Sequence, residues 1–129
     1  MIAYSHEYST TYYPPAPVVE MIVRDVERKE PEICVIGMLD YGSDVTMIPI
    51  DVLQAVGAQF VEKRQIRGVS GFGYSVDTYF VTVRIGPHTI YAIEVVALES
   101  GDETLIGRDV LNHLIVTLNG LASVVEVQG

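Results

Sequence analysis

At 129 residues, with 49% of them apolar and a formal net charge of −9, the chain is the size of one domain, long enough to bury a core and too short for two independent lobes. Such a charge repels a phosphate backbone and leaves no basic stripe, which speaks against nucleic acid as a partner; no apolar run approaches the roughly 20 residues of a membrane span. Cys34 is the single cysteine, so an internal disulfide and a Cys-based zinc cluster are both excluded.

Met1 to Pro17 carries Tyr4, Tyr8, Tyr12 and Tyr13 among Ser and Thr and ends in Pro14-Pro15-Ala16-Pro17. This composition predicts an extended N-terminal arm over residues 1–17, followed by one domain over 18–129. The tyrosines suit either contact with a partner chain or a solvated arm. No basic head followed by an apolar block stands at the start, so the expected location is cytoplasmic.

Val19, Met21 and Val23 alternate with other residues as a half-buried strand requires, and Tyr79, Val81, Val83 and Ile85 do the same. The runs Ile33 to Leu39, Ile90 to Leu98, Leu114 to Leu118 and Ala122 to Val127 are short, rich in Val and Ile, and divided by turn residues, which predicts further strands. Within the first of these runs Cys34 reads as a buried apolar filler. Two short helices fit between strands: Pro49 to Val56, opening on Pro and closing at Gly57, and Arg108 to about His113, following Gly107. Glu99 to Glu103, with Gly101, reads as a solvent turn. Strands this numerous, separated by turns rather than long helices, predict an all-β closed or sandwich-like architecture. His6, His88 and His113 are far apart, with no His or Cys at ligand spacing, so no metal and no cofactor is expected.

Two segments carry chemistry. In Leu39-Asp40-Tyr41-Gly42-Ser43-Asp44 a carboxylate sits where an apolar strand enters a turn; Gly42 lets backbone amides approach Asp40, and Ser43 offers a hydroxyl within reach of it. Alone, this hexapeptide reads as an ordinary Asp turn. The second segment, Thr104-Leu105-Ile106-Gly107-Arg108-Asp109-Val110-Leu111, runs from apolar residues through Gly into a short helix. Between them Gly68-Val69-Ser70-Gly71-Phe72-Gly73 forms a glycine-rich stretch whose spacing does not match a phosphate-cradling loop.

Together, the strand into Asp-x-Gly-Ser, the Gly-rich hairpin and the apolar-apolar-Gly-Arg-Asp segment resemble the retropepsin-like aspartic peptidases, over roughly Val18 to the C-terminus. The resemblance implies a closed β-barrel with one or two short helices and a flap hairpin. It makes Asp40 the catalytic residue, with Tyr41, Gly42 and Ser43 as the active-site loop that orients it. It also implies bracing by Asp44, Gly107, Arg108 and Asp109, with Arg108 paired to Asp44, and a flap formed by Gly68, Val69, Ser70, Gly71, Phe72 and Gly73. The residues themselves leave open a plain glycine-rich hairpin for the flap and two unrelated surface charges for Arg108 and Asp44.

Aspartic peptidase chemistry needs two carboxylates sharing a proton, and this sequence holds one Asp-x-Gly-Ser turn. The resemblance therefore implies a homodimer with Asp40 from each copy on the two-fold axis, acting on a peptide or protein substrate. At position 41 the family normally carries Thr or Ser, whose hydroxyl knits the two loops together across that axis. Tyr41 departs from this, and a second reading stays open: a weak or inactive dimerisation or peptide-binding module of the same fold, with Asp40 a structural turn residue.

Overall fold

Successive side chains on a strand point to opposite faces, so Val19, Met21 and Val23 leave β2 (Val18–Arg24) on one side and are buried, while Glu20 on the other is exposed. The structure, a computed structural model, describes residues 1–68 and 71–129. Ahead of β2 lies β1 (Ile2–Glu7), and after it come β3 (Ile33–Leu39), β4 (Met47–Pro49), α1 (Ile50–Ala55), β5 (Gln59–Arg67) and β6 (Gly73–Ile85). The chain continues through β7 (His88–Leu98), β8 (Thr104–Ile106), α2 (Arg108–Leu111), β9 (Val116–Asn119) and β10 (Val124–Gln128).

The strands β2, β3, β8, β4, β7 and β6 are hydrogen-bonded in that order, and β6 pairs back to β2 through Ile22–Arg84, Val23–Val83 and Arg24–Thr82. This pairing closes a six-stranded barrel and removes its open edges. β5 lies outside the ring and pairs only with β6, so the β5–β6 hairpin projects from the barrel as a flap. The barrel holds Met21, Val23, Ile48, Leu53, Val81, Val83, Ile85 and Ile106, all fully buried. At roughly 1.5–3 kcal/mol for each large apolar side chain removed from water, this interior drives folding. The all-β architecture read from the strand pattern and from the family resemblance is the one observed. Among the described residues no helix is long and apolar enough to cross a membrane.

Three expectations need correction. The segment 1–17 is extended but is not an arm apart: β1 pairs along β10, which also pairs with β9, and Ser9 bridges to Ala16. The partner strand lies at the opposite end of the sequence, where no local composition rule sees it. Cys34 is exposed, because Gly37 and Leu39 of β3 face the core while Cys34 and Ile36 point outward. Both helices are shorter than expected. Pro49 ends β4 and caps α1 from outside it, and α2 stops at Leu111, where His113 and Leu114 turn to three-residue bonds onto Val110 and Leu111.

Candidate active site

β3 and β8 run parallel, with Leu39 opposite Ile106. The residues that follow each strand therefore emerge side by side at one end of the barrel, and these are Asp40 and Gly107. The Asp40 amide continues the ladder by donating to the Ile106 carbonyl at 2.9 Å. The chain then turns: the Gly42 amide donates to Asp40 Oδ1 at 3.0 Å and the Ser43 amide to the Asp40 carbonyl at 3.2 Å. The first of these bonds fixes the rotamer of the carboxylate. Asp40 Oδ2 makes no hydrogen bond to any described residue. The Ser43 hydroxyl does not reach Asp40; it donates to the Val45 carbonyl at 2.7 Å, because the turn carries it toward the following strand.

Beneath the turn the packing leaves no room. A Cβ at Gly107 would stand 2.6 Å from the Val45 carbonyl carbon and oxygen and 2.9 Å from the Ser43 carbonyl oxygen. That space lets the Arg108 amide donate to the Ser43 carbonyl at 2.9 Å, which ties α2 to the loop. The Arg108 guanidinium donates to the Tyr41 carbonyl and to Asp44 Oδ1, spanning the turn from both sides. Thr46, fully buried, completes the support. Its hydroxyl donates to Asp109 Oδ1 at 2.7 Å and accepts the Gly107 amide at 3.1 Å, while its own amide donates to Asp109 Oδ2 at 3.0 Å. Of the three aspartates near the turn, Asp109 is engaged at both oxygens and Asp44 pairs with Arg108 through Oδ1, while among the described residues the Asp40 carboxylate accepts only the Gly42 amide.

The Tyr41 side chain is 44% exposed, and partial burial raises the pKa of its phenol above the ordinary value. Its backbone is held by Arg108 whatever the side chain, so the loop keeps its shape with Tyr at this position.

Facing the loop is the flap. β5 and β6 stay paired as far as Arg67–Gly73, and the tip closes with the Gly68 amide bonded to the Phe72 carbonyl and the Gly71 amide to the Gly68 carbonyl. Val69 and Ser70 lie outside the described residues. Phe72 is 79% exposed. Between flap and loop runs a groove: a space of about 380 Å³ bordered by Gly42 to Val45, Met47, Ile66 and Tyr74 shares Met47, Ile66, Tyr74 and Val96 with a neighbouring cavity of about 470 Å³. Both fall in the range of ligand-binding clefts.

The aspartyl protease family profile matches residues 32–110. The chain belongs to the aspartyl protease family. The match runs from the residue before β3 to α2 and so contains Asp40, the flap and Gly107 to Asp109. No curated protein matches the sequence. Among solved structures, a retropepsin-like aspartic protease from Rickettsia conorii is similar with a TM-score of 0.65 at 12% identity, covering 96% of this chain and 88% of that one. The EIAV protease, in complex with the inhibitor HBY-793, is similar with a TM-score of 0.54 at 20% identity, covering 76% of this chain and 86% of that one. The barrel is the retropepsin-like fold.

Sequence reasoning missed Thr46, which joins the aspartyl protease loop to α2. Its signal was present: Thr46 is the one hydroxyl-bearing residue in the apolar stretch Val45 to Ile50, two places from the buried Ile48 and therefore on the inward face of the chain. The histidines do not converge; His6 and His88 each bond a backbone carbonyl, of Glu7 and Gln128.

Proposed function

We propose that the protein is a homodimeric aspartic endopeptidase that hydrolyses peptide bonds by a water activated between two Asp40 carboxylates, one from each subunit. The observation that carries this reading is the allocation of carboxylates at the loop: Asp109 is held at both oxygens by Thr46, Asp44 pairs with Arg108, and among the described residues the Asp40 carboxylate accepts only the Gly42 amide, in a loop whose next residues, Gly42 to Val45, border the groove under the flap. One carboxylate cannot serve as base toward water and as hydrogen-bond donor to the scissile carbonyl at once; two that share a proton divide these roles. Each chain brings one, so the second comes from another copy across a two-fold axis. Self-association is supported by β9, an edge strand whose neighbourhood exposes Ile115, Leu118 and Leu121. The fixed Asp40 rotamer and the groove supply orientation, and closure of the flap removes water from the reacting groups.

Cleavage of an unfolded protein at mildly acidic pH tests the reading, together with Asp40→Asn. The variant loses roughly 10²–10⁴-fold in rate. Mixed in excess with the parent protein, it also lowers the parent's specific activity by drawing parent subunits into dead heterodimers. Unchanged cleavage by Asp40→Asn removes Asp40 from the chemistry; indifference of the parent to excess variant removes the dimer. Tyr41, bulky where the family resemblance leads one to expect Thr or Ser, favours one alternative, a module that binds peptides without turnover. That module binds peptide equally well with Asn at position 40 and releases no products.

A further inference from the structure

The groove beneath the flap changes character along its length. The part that takes in Gly42 to Val45 also takes in Arg64 and Arg67; the adjoining cavity of about 470 Å³, which shares Met47 and Tyr74 with it, takes in Lys63, Asp77, Glu99 and Asp102. Lys63 and Asp77 neutralise one another at 2.8 Å across the β5–β6 hairpin. Among the described residues Glu99 and Asp102 have no cation within ion-pairing distance. The turn that carries them is shaped by the Asp102 amide donating to the Glu99 carbonyl, and the adjoining Glu103 is held by the Tyr12 hydroxyl. The same cavity is lined by the apolar side chains of Ile50, Ile66, Val76 and Leu98. A cavity lined by apolar side chains and by two carboxylates without ion-pair partners among the described residues is complementary to a side chain with an aliphatic stem and a cationic head.

We propose that this end of the groove is a subsite for a lysine or arginine side chain of the bound peptide, so that preferred substrates carry a basic residue within an otherwise apolar stretch. The inference rests on the peptidase reading for the identity of the bound chain and adds a charge preference to it. Apolar peptides alone would leave Glu99 and Asp102 without a counter-charge, whereas an acidic side chain would add a further negative charge beside them.

The test reads binding rather than turnover. A short apolar peptide with a reduced, uncleavable amide is made in versions carrying lysine, norleucine or glutamate at one position at a time. Affinity for the full-length protein is measured by competition against a labelled peptide. At one position lysine binds about fivefold tighter than norleucine, as two partly solvated carboxylates allow, and glutamate binds more weakly than either. The gain shrinks as salt is raised, disappears in the Glu99→Gln/Asp102→Asn double variant, and is reversed toward glutamate by Asp102→Lys. Norleucine binding as tightly as lysine at every position, or a lysine preference that survives the double variant, overturns the proposal. A protein that discriminates as described but cleaves none of the corresponding ordinary peptides keeps the subsite and loses the peptidase reading, so the two failures are separable.

Discussion

The loop that carries Asp40 and the flap that faces it are built on opposite principles. Under the loop, a buried threonine, a glycine with no room for a methyl group and an aspartate with both oxygens occupied form a network in which almost every polar atom has one fixed partner. In the flap, β5 buries none of its nine residues fully, and Phe72 and Tyr74 near the tip stand in solvent. Its cross-strand contacts, Lys63 with Asp77 and Gln65 with Ser75, are exposed polar pairs of small energetic weight. Burial and satisfied buried hydrogen bonds set the free energy needed to open a segment locally, so the loop opens only with the barrel, while the flap opens alone. On the proposed peptidase reading, an acid that must keep its position and a cover that must admit peptides of varied shape require this division.

The contrast breaks most severely at Gly107. Its φ of −92° suits any residue, so the obstacle to alanine is steric: two backbone atoms of Val45 at 2.6 Å and the Ser43 carbonyl oxygen at 2.9 Å. Backbone cannot rotate away as a side chain does, and Gly107→Ala is expected to cost about 3 kcal/mol in chemical denaturation by forcing the loop off α2. Thr46→Val comes next. The shape is kept, but the Gly107 amide loses its acceptor and Asp109 Oδ1 its donor inside the protein. A loss of about 2 kcal/mol is expected, with amide exchange accelerating first at Gly107 and Arg108. Protection unchanged at those two amides would show that the network does not hold the loop.

How far this was legible in the sequence follows the range of the interactions. The barrel strands announced themselves through local alternation, as in Val19, Met21 and Val23, and the loop through the run from Leu39 to Asp44. The bracing residues Gly107, Arg108 and Asp109 could be singled out as a motif, yet their mode of action depends on β3 and β8 lying parallel, a pairing no local pattern encodes. For the same reason β1 was read as an arm: its partner β10 is at the other end of the chain. Cys34 was misplaced because β3 is apolar on both faces, so periodicity gave no side to choose. Thr46 escaped because a hydroxyl in an apolar stretch is informative only once its two partners, 61 and 63 residues away, are known.

A third segment, the turn Glu99 to Glu103 between β7 and β8, is fastened by the Tyr12 hydroxyl to Glu103. Burial, the hydrogen bond to Glu103 and the charge of that carboxylate together push the Tyr12 phenol up to about 12. A pKa raised above that of the unfolded chain means the bond's contribution is whole below about pH 10 and is lost as pH rises through about 12. Tyr12→Phe should therefore cost only about 0.5 kcal/mol at neutral pH, because the bond is exposed and screened by solvent, and flatten the decline of stability in that alkaline window. Absorbance at 295 nm should show one phenol fewer ionising late. A parent protein whose phenols all ionise near their usual value would mean the tether is open in solution.

The smallest effect belongs to the flap's own glycine, and it inverts the case of Gly107. Nothing stands within 4 Å of a Cβ built at Gly71, but its φ of +83° lies where side-chain-bearing residues are strained. Gly71→Ala meets no clash and carries only a conformational penalty, roughly 1–2 kcal/mol while the tip keeps its turn. The tip escapes that penalty by opening, and opening does not unfold the barrel, so global stability should fall by well under about 1 kcal/mol. The cost should appear where the closed flap matters: a higher KM for peptide, and faster exchange at the Gly68 and Gly71 amides, with the Gly107 amide unchanged. A global loss as large as that of Gly107→Ala would mean that flap and loop open as one unit, and the division between them would have to be abandoned.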